Sequence, residues 1–393
     1  MILTVRQKEI LTGITGLALF FGGFLVSELS FRAIQIVRFG DIQTISVIDT
    51  PEDNQATLPD ATGKSGSKHS TFYEDKDNNL RLPHHSQKLG LVRINNHGFR
   101  GPDIPSGKPA GTFRVAFLGS STTYDANVAE GRNWPEMTVK LLQEHIKDCQ
   151  LDFINSGLPG FSTNHMQKYW ESAVRNYAVD LVIILPGDMT ADIQKAAISS
   201  GHNTGQHKKK SWFASHSLLW EKIEKNASVI RAQRSAFNQE GKFTPDIADL
   251  SLRFSNRLKS LIDAVTGDGT YVAVATISSH VRRDMDREDQ LLAADSALFY
   301  MPYLSIPTLL DTQDIYNNVI RDVLSRSSAQ LIEVGDLIPA DNVHFADSRH
   351  YSAPGSAAMA RIVTSALQQS SEFVRYIQAN STGCRLSYQN SEN

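Results

Sequence analysis

From residue 112 onward the sequence predicts an α/β fold: a three-layer α/β/α domain on a five-stranded, mostly parallel sheet. Three observations predict it. Short runs at Phe113–Leu118, Leu151–Ile154, Leu181–Leu185, Tyr271–Thr276 and Gln330–Val334 read as strands. The first, third and fourth are mostly apolar, as strands covered on both faces must be. Helix-period segments separate the runs, and such alternation gives right-handed crossovers with helices on both faces. The first three runs end in turns rich in Gly, Ser, Asn and Asp, at the carboxyl edge where α/β sheets bind ligands.

The elements follow in chain order. Ile10–Val26 has no charged residue and is rich in Leu, Ile, Phe and Gly. That is about the minimum length for a helix that spans a bilayer. Arg6 and Lys8 precede it, which suits a cytoplasmic N-terminus, although Arg32 and Arg38 follow. The reading is an uncleaved single-pass membrane anchor with the larger domain periplasmic or extracellular. A cleaved signal peptide is the alternative; no Ala-x-Ala site follows, and Glu28 stands where cleavage would fall. A buried core helix fits less well, because the segment has no polar face. Periodicity extends the helix through Glu28–Arg38. Asp49–Asn79 is rich in Asp, Gly, Ser and Lys and reads as a flexible linker. Arg93–Gly101 then restores apolar content. The division is an anchor at 1–30, a juxtamembrane segment and linker at 31–111, the α/β domain at 112–370 and a polar C-terminal tail at 371–393.

Within the domain, Trp134, Met137, Leu141, Leu142 and Ile146 recur at helical spacing, with Pro135 in the first turn. Ile247–Val265 repeats the pattern, and Gly267-Asp-Gly269 stops it. Ala357–Leu367 supplies a closing helix. Ser200–Pro245 breaks the alternation and reads as an insertion over the carboxyl edge, with a short amphipathic helix around Leu218–Ile223.

Composition narrows the function classes. The net charge of −3 over 393 residues gives no reason to expect a nucleic-acid partner. His207-Lys-Lys-Lys210 reads as a solvated loop. No Walker or dinucleotide glycine loop is present, which argues against a nucleotide-binding enzyme. No cofactor and no metal are expected. The two cysteines, Cys149 and Cys384, fit no metal spacing; two unrelated thiols are favoured over a single bond.

The candidate chemistry lies at strand ends. Gly119-Ser120-Ser121-Thr122 follows the first strand, so a hydroxyl can face the crevice. Far downstream stands Asp347-Ser-Arg-His350. A serine, an imidazole and a carboxylate are the parts of a nucleophile, base and orienter. Ser121 is the expected nucleophile, with Ser120 and Thr122 capping the next turn. His350 is the expected base, and Asp347 sits three residues earlier to fix its tautomer. Asp341-Asn-Val-His344 has the same spacing, but Ser352-Ala-Pro-Gly355 and its helix follow His350. Asn155–Thr163 follows the second strand, and Gly160 there can present an N–H to an oxyanion. Pro186-Gly-Asp188-Met189 follows the third. Each turn alone is more often structural; their convergence on one rim, in this order, carries the reading.

With these blocks assembled, the chain resembles the SGNH (GDSL-like) hydrolase superfamily, of the membrane-anchored bacterial type. Gly119-Ser120-Ser121 matches its first block, Asn155 through Gly160 its oxyanion-glycine block, and Asp347 with His350 its Asp-x-x-His block. Arg93-x-Asn-x-x-Gly-x-Arg100 resembles the segment before the domain in tethered members. The resemblance spans about Phe113–Leu367 and implies a flavodoxin-like sheet and a serine esterase or acyl hydrolase. It also implies an O-acyl ester substrate, perhaps O-acetyl, on a glycan or a lipid. An O-acyltransferase with the same triad, or a catalytically impaired binding protein, is the alternative. Asp188 stands where the family has an oxyanion-hole asparagine. An ionised carboxylate only accepts hydrogen bonds, so Asp188 contributes to the hole if protonated, or else holds its loop through backbone N–H groups.

Overall fold

The structure, a computed structural model, describes residues 5–39, 71–202, 211–380 and 384–386. Residues 49–70 of the expected linker, His207–Lys210 and residues 387–393 of the expected tail lie outside that range. The chain forms two units, one of residues 1–48 with 207–231 and one of the remainder. Helix α1 (Val5–Phe39) opens the first. Its stretch Ile14–Ile34 is long and apolar enough to cross a membrane, with mean hydropathy 1.7. Leu19, Phe20 and Phe21 are 72, 66 and 64% exposed, which removes the core-helix reading.

The second unit starts upstream of residue 112. Strand β1 (Phe72–Asp75) pairs antiparallel with β2 (Leu80–Pro83), and β3 (Gln87–Leu89) pairs with β4 (Val92–Ile94). Leu80, Leu82, Val92 and Ile94 are buried in the main core, so the folded unit includes these hairpins. β5 (Thr112–Gly119) then leads into a single turn, α2 (Ser121–Tyr124), and α3 (Trp134–His145). After β6 (Ile146–Lys147) come β7 (Gln150–Asn155), α4 (Thr163–Ser172), β8 (Leu181–Leu185) and α5 (Asp188–Ser199).

The chain next enters the first unit. There α6 (Trp212–His216) and α7 (Leu218–Gln233) replace the single short helix expected around Leu218–Ile223. Then follow α8 (Ile247–Gly267), β9 (Tyr271–Ala275), α9 (Arg287–Ala293), α10 (Asp295–Tyr300), α11 (Ile306–Leu324), β10 (Gln330–Ile332) and α12 (Ala353–Gln369). The last elements are α13 (Ser371–Asn380) and β11 (Arg385–Leu386).

The five expected strands form one parallel sheet in the order β10-β9-β8-β5-β7. In chain order that is 2-1-3-4-5, the flavodoxin-like arrangement, whose switch point lies between β5 and β8. Period-2 alternation splits the strands between two cores. Ala116, Leu118, Val182, Ile184, Val272 and Val274 face α4, α5, α8 and α11. Phe113, Val115, Phe117, Ile183 and Ala273 face α3, α12 and α13. The one charge in β5, Arg114, is fully buried and bound by both oxygens of Asp152 across the strand pair, at 2.8 and 2.7 Å. A buried charge survives when its donors are satisfied this way.

Residues 371–380 and 384–386 are not a polar tail: Phe373 and Ile377 of α13 are buried in the second core, and β11 pairs with β6. Cys149 and Cys384 form a disulfide across 235 residues, where the sequence favoured separate thiols. Cys384→Ser is expected to cost about 2–5 kcal/mol. Thermal unfolding checks this: the wild type should lose stability under reductant and the variant should not.

Candidate active site

Ser121 owes its position to the close approach of three turns. Gly119 ends β5, and a Cβ there would collide with the Thr123 side chain. A Cβ on Gly157 would lie 2.7 Å from Thr123, and one on Gly187 would collide with Ser120. The turns after β5, β7 and β8 therefore pack without side chains between them, at the switch point. Ser120 makes no capping hydrogen bond, contrary to the role expected for it; its hydroxyl packs against Gly187. Ser121 becomes the first residue of α2, where an N–H has no intrahelical acceptor.

The two other expected partners arrive from the far end of the chain. His350 Nε2 lies 2.8 Å from Ser121 Oγ, and His350 Nδ1 lies 2.7 Å from Asp347 Oδ2. Asp347 Oδ1 also accepts from the backbone N–H groups of Arg349 (2.8 Å) and His350 (2.9 Å). Burial disfavours its charge, but the His350 charge and hydrogen bonds prevail and hold the carboxyl at about 2. Burial likewise works against an imidazolium at His350; the Asp347 charge and hydrogen bond outweigh it and raise the pKa above its ordinary value. A carboxylate is thus fixed on one ring nitrogen and a hydroxyl on the other. His344 pairs instead with Asp341, Nδ1 to Oδ1 at 2.8 Å, and its carbonyl is packed where a Cβ on Gly355 would fall.

Three supporting residues were given no role of their own from the sequence, although Arg100 and Asn155 stand in motifs quoted there. Arg100 is 2% exposed. Its guanidinium donates to the carbonyls of Tyr124, Asp125 and Val128 and pairs with Glu130, which satisfies the C-terminal end of the α2 turn. Asp125 follows α2 in the left-handed region at φ +53°, where aspartate is tolerated. Its Oδ2 accepts from Ser356 Oγ at 2.5 Å, which ties the Ser121 turn to the helix after His350. Burial pushes its pKa up to about 6 against the opposing pull of Arg100. Asn155 Nδ2 donates to the Thr123 carbonyl at 3.0 Å, so this turn is held from three directions.

Gly160 has φ +77°, and its neighbour Phe161 presents its carbonyl to Gly187, beside Ser120. Among the described residues, the N–H groups of Ser121 and Gly160 make no hydrogen bond. Asp188, expected at the same hole, is committed elsewhere. It is fully buried and accepts from Thr163 N (3.1 and 3.0 Å) and Thr163 Oγ1 (2.9 Å). Arg257 pairs with it at 3.2 Å and with Asp192 at 2.5 Å. Burial raises Asp188 to about 6 despite Arg257. Its oxygens act as acceptors for the loop after β7, so it has no donor to give an oxyanion. Asp188→Asn puts an amide NH₂ among these donors. The expected result is a stability loss of about 1–3 kcal/mol with no gain in kcat. A rise in kcat on a simple acetyl ester would place the side chain at the hole instead.

No family model matches the chain, and no curated protein matches it in sequence. Among solved structures, the chain is similar to Axe2, an acetylxylan esterase from Geobacillus stearothermophilus. The TM-score is 0.42 and the identity 14%, over 65% of this chain and 94% of that one. It is also similar to the acetyl xylan esterase AlAXEase, with a TM-score of 0.38 and 14% identity over 65% and 99%.

Proposed function

We propose that this protein is a membrane-anchored serine ester hydrolase with the triad Ser121, His350 and Asp347. The observation that carries the proposal is the hydrogen-bonded chain from Ser121 Oγ through the His350 ring to Asp347. In the reaction, His350 Nε2 takes the hydroxyl proton as Ser121 Oγ attacks the ester carbonyl. The free N–H groups of Ser121 and Gly160 bind the oxyanion. The tetrahedral intermediate collapses, His350 returns the proton to the leaving alcohol, and an acyl-serine remains. Water then attacks the acyl-serine with His350 again as base, releasing the carboxylic acid and Ser121. Asp347 holds the imidazole tautomer and stabilises the imidazolium.

The substrate class that the sequence resemblance implies is an O-acyl ester, with O-acetyl groups on a glycan as the first to assay. The Cys149–Cys384 disulfide supports an oxidising, extracytoplasmic compartment for the domain. Together with the apolar α1, it favours a single-pass anchor with the domain outside the cytoplasm. A fluorophosphonate probe followed by peptide mapping tests the mechanism. Covalent label on Ser121 is expected; a label on another residue, or none, overturns the assignment.

The base sets a pH dependence. His350 acts only when neutral, and its pKa lies above the ordinary 6.5. Activity should therefore fall as pH drops through a midpoint above 6.5. Asp347→Asn removes the charge that favours the imidazolium, so the midpoint should move to lower pH as kcat falls. The pH profile of kcat/KM for both proteins checks the direction.

A further inference from the structure

In the first unit a single carboxylate organises two helices. Glu28 of α1 is 7% exposed. It accepts from Leu218 N (3.0 Å), Leu219 N (2.8 Å) and Ser217 Oγ (2.9 Å), and its Oε1 takes Arg32 Nε at 2.8 Å. The first amides of α7 have no intrahelical acceptor, and an anion at a helix N-terminus is favourable. The contact is a clasp between the apolar helix and the α6–α7 turn.

The level of that clasp follows from the sequence. Ile10 through Ser27 contains no charge, and Glu28 is the next charged residue. At about 1.5 Å per residue, Ile10–Val26 covers roughly 26 Å, close to the hydrocarbon thickness of a bilayer. Glu28 and Arg32 thus fall at its far boundary. α6 is held at this level: Arg32 Nη2 donates to the His216 carbonyl at 3.2 Å, and the His216 ring stacks on Trp212 at 4.6 Å. Lys222 Nζ sits 4.6 Å over Phe31. On α6, Trp212 and Phe213 are 68 and 59% exposed and pack edge to face at 5.2 Å. Along α1, Leu25, Val26 and Leu29 are also exposed, at 58, 64 and 57%.

We propose that α6 is an interfacial membrane element: Trp212 and Phe213 seat in the headgroup layer of the bilayer that α1 spans, and Glu28 holds them at that depth. The occupant of this face is lipid, because the bare aromatics share the level at which the charge-free run of α1 ends. Aromatic side chains are enriched at that boundary. The proposal rests on the reading of α1 as a membrane span.

The test uses the full chain in phosphatidylcholine vesicles, with lipids brominated either near the headgroup or deep in the acyl chain. Shallow bromines should quench the wild-type tryptophan emission more than deep ones. The quenched emission should fall by at least half in Trp212→Phe, since Trp134 and Trp170 are buried in the second unit and Trp220 is half-buried against Phe213. Glu28→Ala should reduce shallow quenching at least twofold while Ser121 still takes the fluorophosphonate probe. Equal shallow quenching in wild type and Trp212→Phe overturns the proposal. So does a Trp212 that lipid bromines leave untouched, whether aqueous iodide reaches it or a second protein covers it. Unchanged quenching in Glu28→Ala overturns the clasp. Alkaline extraction reads the anchor separately. Release from the vesicles would sink the span, whereas retention without shallow quenching would sink only the placement of α6.

Discussion

Replacing Ser121 with alanine should lower kcat on an acetyl ester by about 10⁴–10⁶ and leave the folded domain intact. The size follows from the way a triad works as one unit: losing the nucleophile removes the acyl-enzyme route, and only binding and oxyanion stabilisation remain. The lack of a stability cost follows from the hydroxyl's surroundings. Ser121 is half-buried, and the hydrogen bond of its Oγ is the one with His350. The turn is held instead by the Arg100 guanidinium, the Asn155 amide and the close packing at Gly119 and Gly157. A Tm within about 2 °C of wild type is expected. A variant of normal Tm that kept its rate would remove Ser121 as nucleophile.

The second large effect separates two histidines of identical local spacing. His350→Ala should also cost about 10⁴–10⁶ in kcat, whereas His344→Ala should leave the rate near wild type. Both rings donate from Nδ1 to an aspartate three residues earlier. What distinguishes them is the other nitrogen, which in His350 reaches Ser121. Steady-state kinetics of the two variants on one substrate decide the ranking. The reverse order would move the base to His344 and its orienter to Asp341.

The sheet was legible in the sequence because burial on both faces forces uninterrupted apolar runs, and β5, β8 and β9 have no other way to be covered. The candidate serine was legible because it directly follows such a run, and the candidate histidine because a helix start follows it. Other features left no local signal. The hairpins at 72–94 are only three or four residues per strand, with charges on the open face, so Phe72-Tyr-Glu-Asp75 reads as linker. Arg100 binds backbone carbonyls, which every residue possesses, so no sequence partner marks it. Asp188 is explained by Thr163 and Arg257, one on each side of it and far away in sequence. The start of α7 is capped by Glu28, 190 residues before Leu218, a partner that no local pattern reveals.

The disulfide also bears on the order in which the protein is made. Cys149 is synthesised when only β5, α2, α3 and β6 of the parallel domain precede it. Cys384 follows α13, after every strand of the sheet exists. The bond therefore cannot guide early assembly; it is made on a sheet whose strands have all been synthesised. With two cysteines in the whole chain, there is no wrong intramolecular pairing to undo. Maturation then calls for an oxidant and no isomerase, and Cys149 must wait, unpaired and open to foreign thiols, for most of the time the domain takes to emerge.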